Sequence, residues 1–398
     1  MKRIALLAVL LLVVGLSLGF AQEIKPSISL SGSGSVTWGV NLDSMDTGFY
    51  NASDADLTLT LIPEDSTVTH NKADAPIYGE ITISDIEAFF GGDDAALNPW
   101  TMSDWLEDAD VSAKIVAKPL EIGVFAGPDL TTDSVTAIEN DDVDDDIVDD
   151  ESGLDLAPAF GAAGTYVAYV TDTLTFKAII KTDNNADDFI GGYYSLGVNI
   201  SATFSPITAE VNAGYNFDGD ALFGGKLTLA MSPITVYAGA DASYAASALA
   251  FEVGAGASVA MEKLLTLSAD MVYGPAAGGT DTGLDAKVAL DVAAVENLTA
   301  TVTFYLLDVL NTPDTTNYEA LVSLAYKYML DDTNYVKPFA DVTYGGGQHA
   351  NAPSLTGDIG IDIAMIPLTV ITVKYASGNF MATPIGLGTV SVGAAVTF

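Results

Sequence analysis

The chain closes on Gly388-Thr389-Val390-Ser391-Val392-Gly393-Ala394-Ala395-Val396-Thr397-Phe398. Side chains of a strand alternate between its two faces. Val390, Val392, Ala394, Val396 and Phe398 therefore share one face, and Thr389, Ser391, Gly393, Ala395 and Thr397 share the other. Chain ends fray unless they are tied down, so a soluble domain gains little by stopping in mid-strand on an exposed aromatic. A membrane barrel has a use for such an ending, because its last strand pairs with its first and leaves no open edge. A soluble β-domain with an ordinary last strand is the competing reading, and this stretch alone does not separate the two.

The other end of the chain adds to it. Lys2-Arg3 precede an unbroken apolar run from Ile4 to Leu16, followed by Ser17-Leu18-Gly19-Phe20-Ala21-Gln22. A charged start, an apolar centre and small residues at Gly19 and Ala21 make an export signal, 1–21, cleaved after Ala21. A retained anchor would need about 20 apolar residues, and polar, strand-like sequence begins directly after Ala21. No cysteine follows the apolar run, so a lipoprotein anchor is excluded.

With no cysteine in 398 residues, a disulfide scaffold and thiolate chemistry are excluded as well. A soluble chain of this size would normally divide into domains. No linker, composition shift or helical period divides this one, so 22–398 is expected to be a single domain. Hydrophobic residues make up 49%, but past the signal they are interleaved with Ser, Thr, Gly and Asn. A net charge of −39 excludes a nucleic-acid footprint, which needs a basic patch.

Two kinds of connection punctuate the chain. Ser205-Pro206-Ile207-Thr208, Ser232-Pro233-Ile234-Thr235 and Ile366-Pro367-Leu368-Thr369 are tight near copies. Lys118-Pro119-Leu120, Thr171-Asp172-Thr173-Leu174, Glu262-Lys263-Leu264 and Glu296-Asn297-Leu298 are equally brief. The others are mostly longer and rich in Gly, Asp and Asn, among them 43–53, 90–109, 128–158, 274–283 and 378–386. From residue 110 onward the two kinds alternate strictly. Short periplasmic turns and longer extracellular loops are the arrangement of a transmembrane antiparallel up-and-down β-barrel.

The segments between them alternate accordingly. In 298–306, Leu298, Ala300, Val302, Phe304 and Leu306 oppose Thr299, Thr301 and Thr303; 190–204 and 318–328 read the same way. Aromatics such as Tyr194, Phe204, Tyr273, Tyr318 and Tyr328 lie near the ends of apolar faces, where amphipathic rings meet headgroups. Counting gives about 20 strands (18–20), too wide a barrel for side chains to fill, and hence an aqueous lumen.

Ser31-Gly32-Ser33-Gly34-Ser35-Val36-Thr37-Trp38-Gly39-Val40-Asn41-Leu42-Asp43, followed by Thr47-Gly48-Phe49-Tyr50-Asn51 and Leu57-Thr58-Leu59-Thr60-Leu61, resembles the opening of the spirochaete major outer sheath protein family. That resemblance covers about residues 30–62 and the closing architecture. It implies an outer-membrane β-barrel with porin activity in a diderm bacterium; the adhesin role of some members is not carried over. The last strand, with Phe398, resembles the assembly signal that the barrel-assembly machinery recognises.

Candidate pore residues fall into two sets. Between Asp129 and Asp155 the loop 128–158 carries twelve carboxylates and no Lys or Arg. Its core holds Glu139, Asp141, Asp142, Asp144, Asp145, Asp146, Asp149, Asp150 and Glu151. Folded into the barrel as a constriction, such a ring favours cations; left outside, it is a solvated, self-repelling loop. Either geometry allows weak divalent-cation binding, but Ile147 stands where an EF-hand needs Gly. The second set is on strands: Glu210, Glu252, Asp270, Asp285, Asp291, Glu319 and Asp341 alternate opposite apolar positions, against Lys226, Lys287 and Lys327. Asn98-Pro99-Trp100 opens a short helix in the second loop. His70 and His349 stand alone in connections, so neither a histidine metal site nor a Ser-His-acid triad is supported.

The expectation is an outer-membrane porin: no enzyme, no cofactor, no metal, and a passive, cation-preferring, water-filled channel for small hydrophilic solutes. Its partners would be outer-membrane lipid, the assembly machinery and further copies of itself in a homotrimer, not nucleic acid. A solute-selective channel, an adhesin or structural barrel that displays its loops, and a soluble acidic exported β-protein are the alternatives.

Overall fold

The computed structural model describes residues 24–63, 75–84, 86, 110–124, 163–182, 194–216, 219–245, 248–275, 282–307, 309, 317–346 and 353–398. Strands run in chain order as β1 (Ile24–Asn41), β2 (Thr47–Pro63), β3 (Ile77–Ser84), β4 (Asp110–Ala117), β5 (Leu120–Val124), β6 (Ala163–Val170) and β7 (Leu174–Thr182). There follow β8 (Tyr194–Phe204), β9 (Ile207–Asn216), β10 (Ala221–Met231), β11 (Ile234–Ala245), β12 (Ala248–Met261), β13 (Leu265–Pro275) and β14 (Thr282–Val292). The last are β15 (Leu298–Leu307), β16 (Asn317–Tyr326), β17 (Tyr328–Met329), β18 (Tyr335–Gly346), β19 (Ser354–Ile366), β20 (Thr369–Ala376) and β21 (Thr389–Thr397). Each pairs antiparallel with its sequence neighbours; β16 and β17 are one crossing broken at Lys327, both paired to β18. The chain is thus a closed antiparallel barrel of 20 crossings, with no helix among the described residues.

Closure is made by the last strand. β21 pairs with β1 from Ser33↔Thr397 to Asn41↔Thr389, and Gly32 and Phe398 exchange backbone hydrogen bonds at 3.0 Å. At the outer end of this seam the Asp43 carboxylate accepts the backbone N–H groups of Leu387 (2.8 Å) and Gly388 (3.1 Å), 344 and 345 residues away.

The outward rows are the apolar ones. Ile28 is 72% exposed, Phe204 71% and Ile359 61%, and Leu227, Phe251, Met271, Val322 and Val392 are exposed with them. Apolar surface on this scale marks a membrane-facing wall. Outward rings pair near the strand ends, Phe251 with Tyr273 and Tyr318 with Tyr344, at centroid separations of 6.5 and 6.0 Å.

Three local expectations change. Residues 43–53 are read as a loop, yet β2 already starts at Thr47 and pairs Tyr50 with Thr37 and Asn51 with Val36. The hairpin continues above the apolar band, where water meets both faces and polar residues no longer signal a loop. The three proline turns are not equivalent either: Ser205–Pro206 and Ser232–Pro233 are cis, whereas Ile366-Pro367-Leu368 turns through a positive φ at Leu368 (61°), beside a register shift between Ile363 and Ile366. The inward faces, finally, are not wet throughout, since Val272, Tyr305 and Leu307 pack there as a buried cluster. The export signal, the 98–106 helix, His70, His349 and the core of the acidic loop lie outside the described residues.

Candidate pore wall

Because a barrel strand turns every second side chain inward, the pairing registers define rows that run around the lumen. Glu210, Glu252, Asp270, Asp285, Asp291, Glu319 and Asp341 all lie on inward rows, as the alternation predicts. They are not equivalent. Glu319 is 1% exposed and Glu252 6%, whereas Asp291, Asp341 and Asp270 are part-exposed or better. The candidate constriction residues Glu139 to Glu151 lie outside the described residues.

The structure adds inward carboxylates that the sequence reading passed over: Glu80, Glu121, Asp241, Asp358 and Asp362. Asp241 stands directly across the ladder from Glu252, and Asp341 from Asp358. Like charges in register destabilise a sheet, so these pairs are a cost that the wall carries.

Among the described side chains, lysines are fewer on these rows, and their ammonium groups are held. Lys114 pairs with Glu80 at 3.3 Å and Lys337 with Asp362 at 3.4 Å, while Lys374 pairs with Asp358. Four more described ones lie over tyrosine rings: Lys177 on Tyr166 (4.7 Å to the centroid), Lys226 on Tyr237 (4.6 Å), Lys287 on Tyr305 (5.0 Å) and Lys327 on Tyr335 (4.1 Å). The sequence reading named Lys226, Lys287 and Lys327 but missed their rings, which sit on neighbouring strands.

Glycines make room for this layout. The Tyr237 ring on β11 lies across Gly256 on β12 and donates its hydroxyl to Asp270 Oδ1 on β13 at 2.7 Å. A Cβ at Gly256 would overlap both the ring and the carboxylate. Tyr166 lies likewise over Gly123 and donates to Glu121, and Phe339 lies over Gly360. Hydroxyls dress further acids: Thr301 donates to Asp291 at 2.9 Å and Thr372 to Asp362 at 2.8 Å.

No group of three or more His, Cys, Asp or Glu side chains among the described residues is placed to hold a metal ion. The arrangement is one of ion pairs, lysines over rings and carboxylates dressed by hydroxyls. What it can do is line water with fixed charge, predominantly negative.

No family model and no curated protein matches the chain. Among solved structures, a mutant porin of Rhodopseudomonas blastica superposes with a TM-score of 0.40 at 14% identity, over 94% of this chain and 100% of that one. OpdK of Pseudomonas aeruginosa, crystallised with vanillate, superposes with a TM-score of 0.47 at 11% identity, over 94% and 99%. The barrel itself is read from the strand pairing and not from these likenesses.

Proposed function

We propose that this protein is an outer-membrane porin: a passive, water-filled and cation-preferring diffusion channel for small hydrophilic solutes. The observation that carries the reading is the closed 20-crossing barrel with apolar rows outward and charged, hydroxyl-bearing rows inward. Closed barrels of 16 to 18 strands already leave an aqueous channel, about the lower bound for this one. Cation preference is supported by the excess of inward carboxylates over lysines and by the way those lysines are held. The acidic residues Glu139 to Glu151 would strengthen it if their loop reaches the lumen. The resemblance of residues 30–62 to the spirochaete outer sheath proteins fits the same role. Assembly through the strand ending at Phe398, and a homotrimer, belong to this proposal too.

Aromatic rings lining one lumen strip would favour a solute-selective channel. Tyr166, Tyr237 and Tyr305 are spread over distant strands, and each already carries a lysine. Diffusion therefore remains the better reading. Osmotic swelling tests it: liposomes holding the refolded protein should swell in small neutral sugars at rates that fall with solute size. Vesicles that hold inserted protein and do not swell would refute the channel and favour a barrel that only displays its loops.

A further inference from the structure

The lumen repeats one lysine-over-tyrosine arrangement three times, twice with the tyrosine hydroxyl on an acid. On β10, β11 and β13, Lys226 lies over the ring of Tyr237, whose hydroxyl reaches Asp270. On β5, β6 and β7, Lys177 lies over Tyr166, whose hydroxyl reaches Glu121. On β14, β15 and β16, Lys287 lies over Tyr305, which stands across the ladder from Glu319. Two of the three are also joined, because Asp270 faces Lys287 across the β13–β14 ladder and Glu210 faces Lys226 across β9–β10. One belt of acid, lysine and tyrosine thus runs from Glu210 on β9 to Glu319 on β16.

We propose that Tyr166, Tyr237 and Tyr305 are selectivity-determining residues, which act by laying the lumen lysines flat against the wall. The inference rests on the channel reading above. Lysine carries its charge on a flexible four-carbon stem, so an untethered lysine reaches further toward the pore axis than Asp or Glu does. Ions at the axis feel a wall charge only within about a Debye length, roughly 10 Å at 0.1 M salt. A few ångströms of reach therefore decide which charge dominates. The ring face attracts the ammonium electrostatically and removes that reach. The short carboxylates then set the field by default. At Tyr166 and Tyr237 the hydroxyl is held by Glu121 and Asp270, which fixes each ring over Gly123 or Gly256.

The test is the permeability ratio of K⁺ to Cl⁻, from reversal potentials at low salt, for triple variants at Tyr166, Tyr237 and Tyr305 in two series. Tyr→Leu removes the ring face and keeps bulk; Tyr→Phe keeps the face and removes only the hydroxyl. The Leu series is expected to lower the ratio at least about twofold, the scale of releasing a contact of this class, while the Phe series, which keeps the ring face, falls by clearly less. An unchanged ratio in the Leu series, or an equal fall in both, overturns the proposal. If the triple Leu variant does not insert, single variants should each shift the ratio in the same direction. A parent that conducts without cation preference would refute the cation-preferring reading on which this inference rests, and not the channel. The proposal then still has its own readout: Lys226 and Lys287 should react several-fold faster with a small water-soluble amine reagent in the Leu series and not in the Phe series.

Discussion

Gly256→Ala offers the sharpest check on the packing of the lumen wall. The new Cβ would overlap the Tyr237 ring and Asp270 Oδ1, so the ring must leave its seat. Three terms then act together. Overpacking costs about 1–3 kcal/mol. Loss of the 2.7 Å hydrogen bond to the Asp270 carboxylate costs about 1.5–3 kcal/mol, toward the low end because both groups are part-exposed. Loss of the Lys226 contact adds about 0.5–1 kcal/mol. Against these, replacing glycine in a strand returns about 0.4–1 kcal/mol of chain entropy. Because a displaced ring relieves the overlap, the terms do not all add, and a net cost of about 2–4 kcal/mol is expected. Reversible urea unfolding in lipid vesicles would measure it. Gly34→Ala is the control, since a Cβ there has nothing within 4 Å, and it should stay within about 0.5 kcal/mol. In a Tyr237→Leu background the Gly256→Ala cost should drop below about 1 kcal/mol. A cost that is the same with and without Tyr237 would refute the packing argument.

Other outcomes follow from single contacts. Asp43→Ala removes the acceptor for the Leu387 and Gly388 amides, so hydrogen exchange at those two amides should speed about tenfold while the β1–β21 ladder stays protected; unchanged exchange would show that the clasp is immaterial. In the exposed turn between β17 and β18, backbone N–H groups of Asn334 and Thr333 lower the Asp331 pKa from 3.8 to about 2. The folded value is the depressed one, so this group's support is present above pH 3.8 and lost as pH falls through about 2. A carboxyl NMR titration of Asp331 with its midpoint near 3.8 would contradict those bonds. Replacing the carboxylates from Glu139 to Glu151 by their amides should move the reversal potential toward that of Cl⁻ if the loop reaches the lumen, and an unmoved potential leaves the selectivity to the strands.

Much of this barrel is legible in the residues because period-2 alternation is a local property. Leu298 to Leu306 and Thr299 to Thr303 sort themselves into two faces, and the inward acids Glu210 to Asp341 follow from that alone. What could not be read depends on register. Tyr237 finds Asp270 only because β12 slides Gly256 between them, and that offset is set by turn geometry on both sides. Lys337 and Asp362, or Lys374 and Asp358, are likewise neighbours by pairing and not by sequence. The strand break at Lys327 leaves no mark in the alternation of Tyr326 and Tyr328. Glu80 and Glu121 were missed for another reason: β3 and β5 are short, so few residues show their alternation.

The central claim, an open channel whose wall prefers cations, is tested most directly by single-channel recording of the refolded protein in a planar bilayer under a KCl gradient. The account predicts discrete open steps that reverse toward the K⁺ equilibrium potential. Inserted protein without conductance, or openings that reverse toward the Cl⁻ potential, would contradict it.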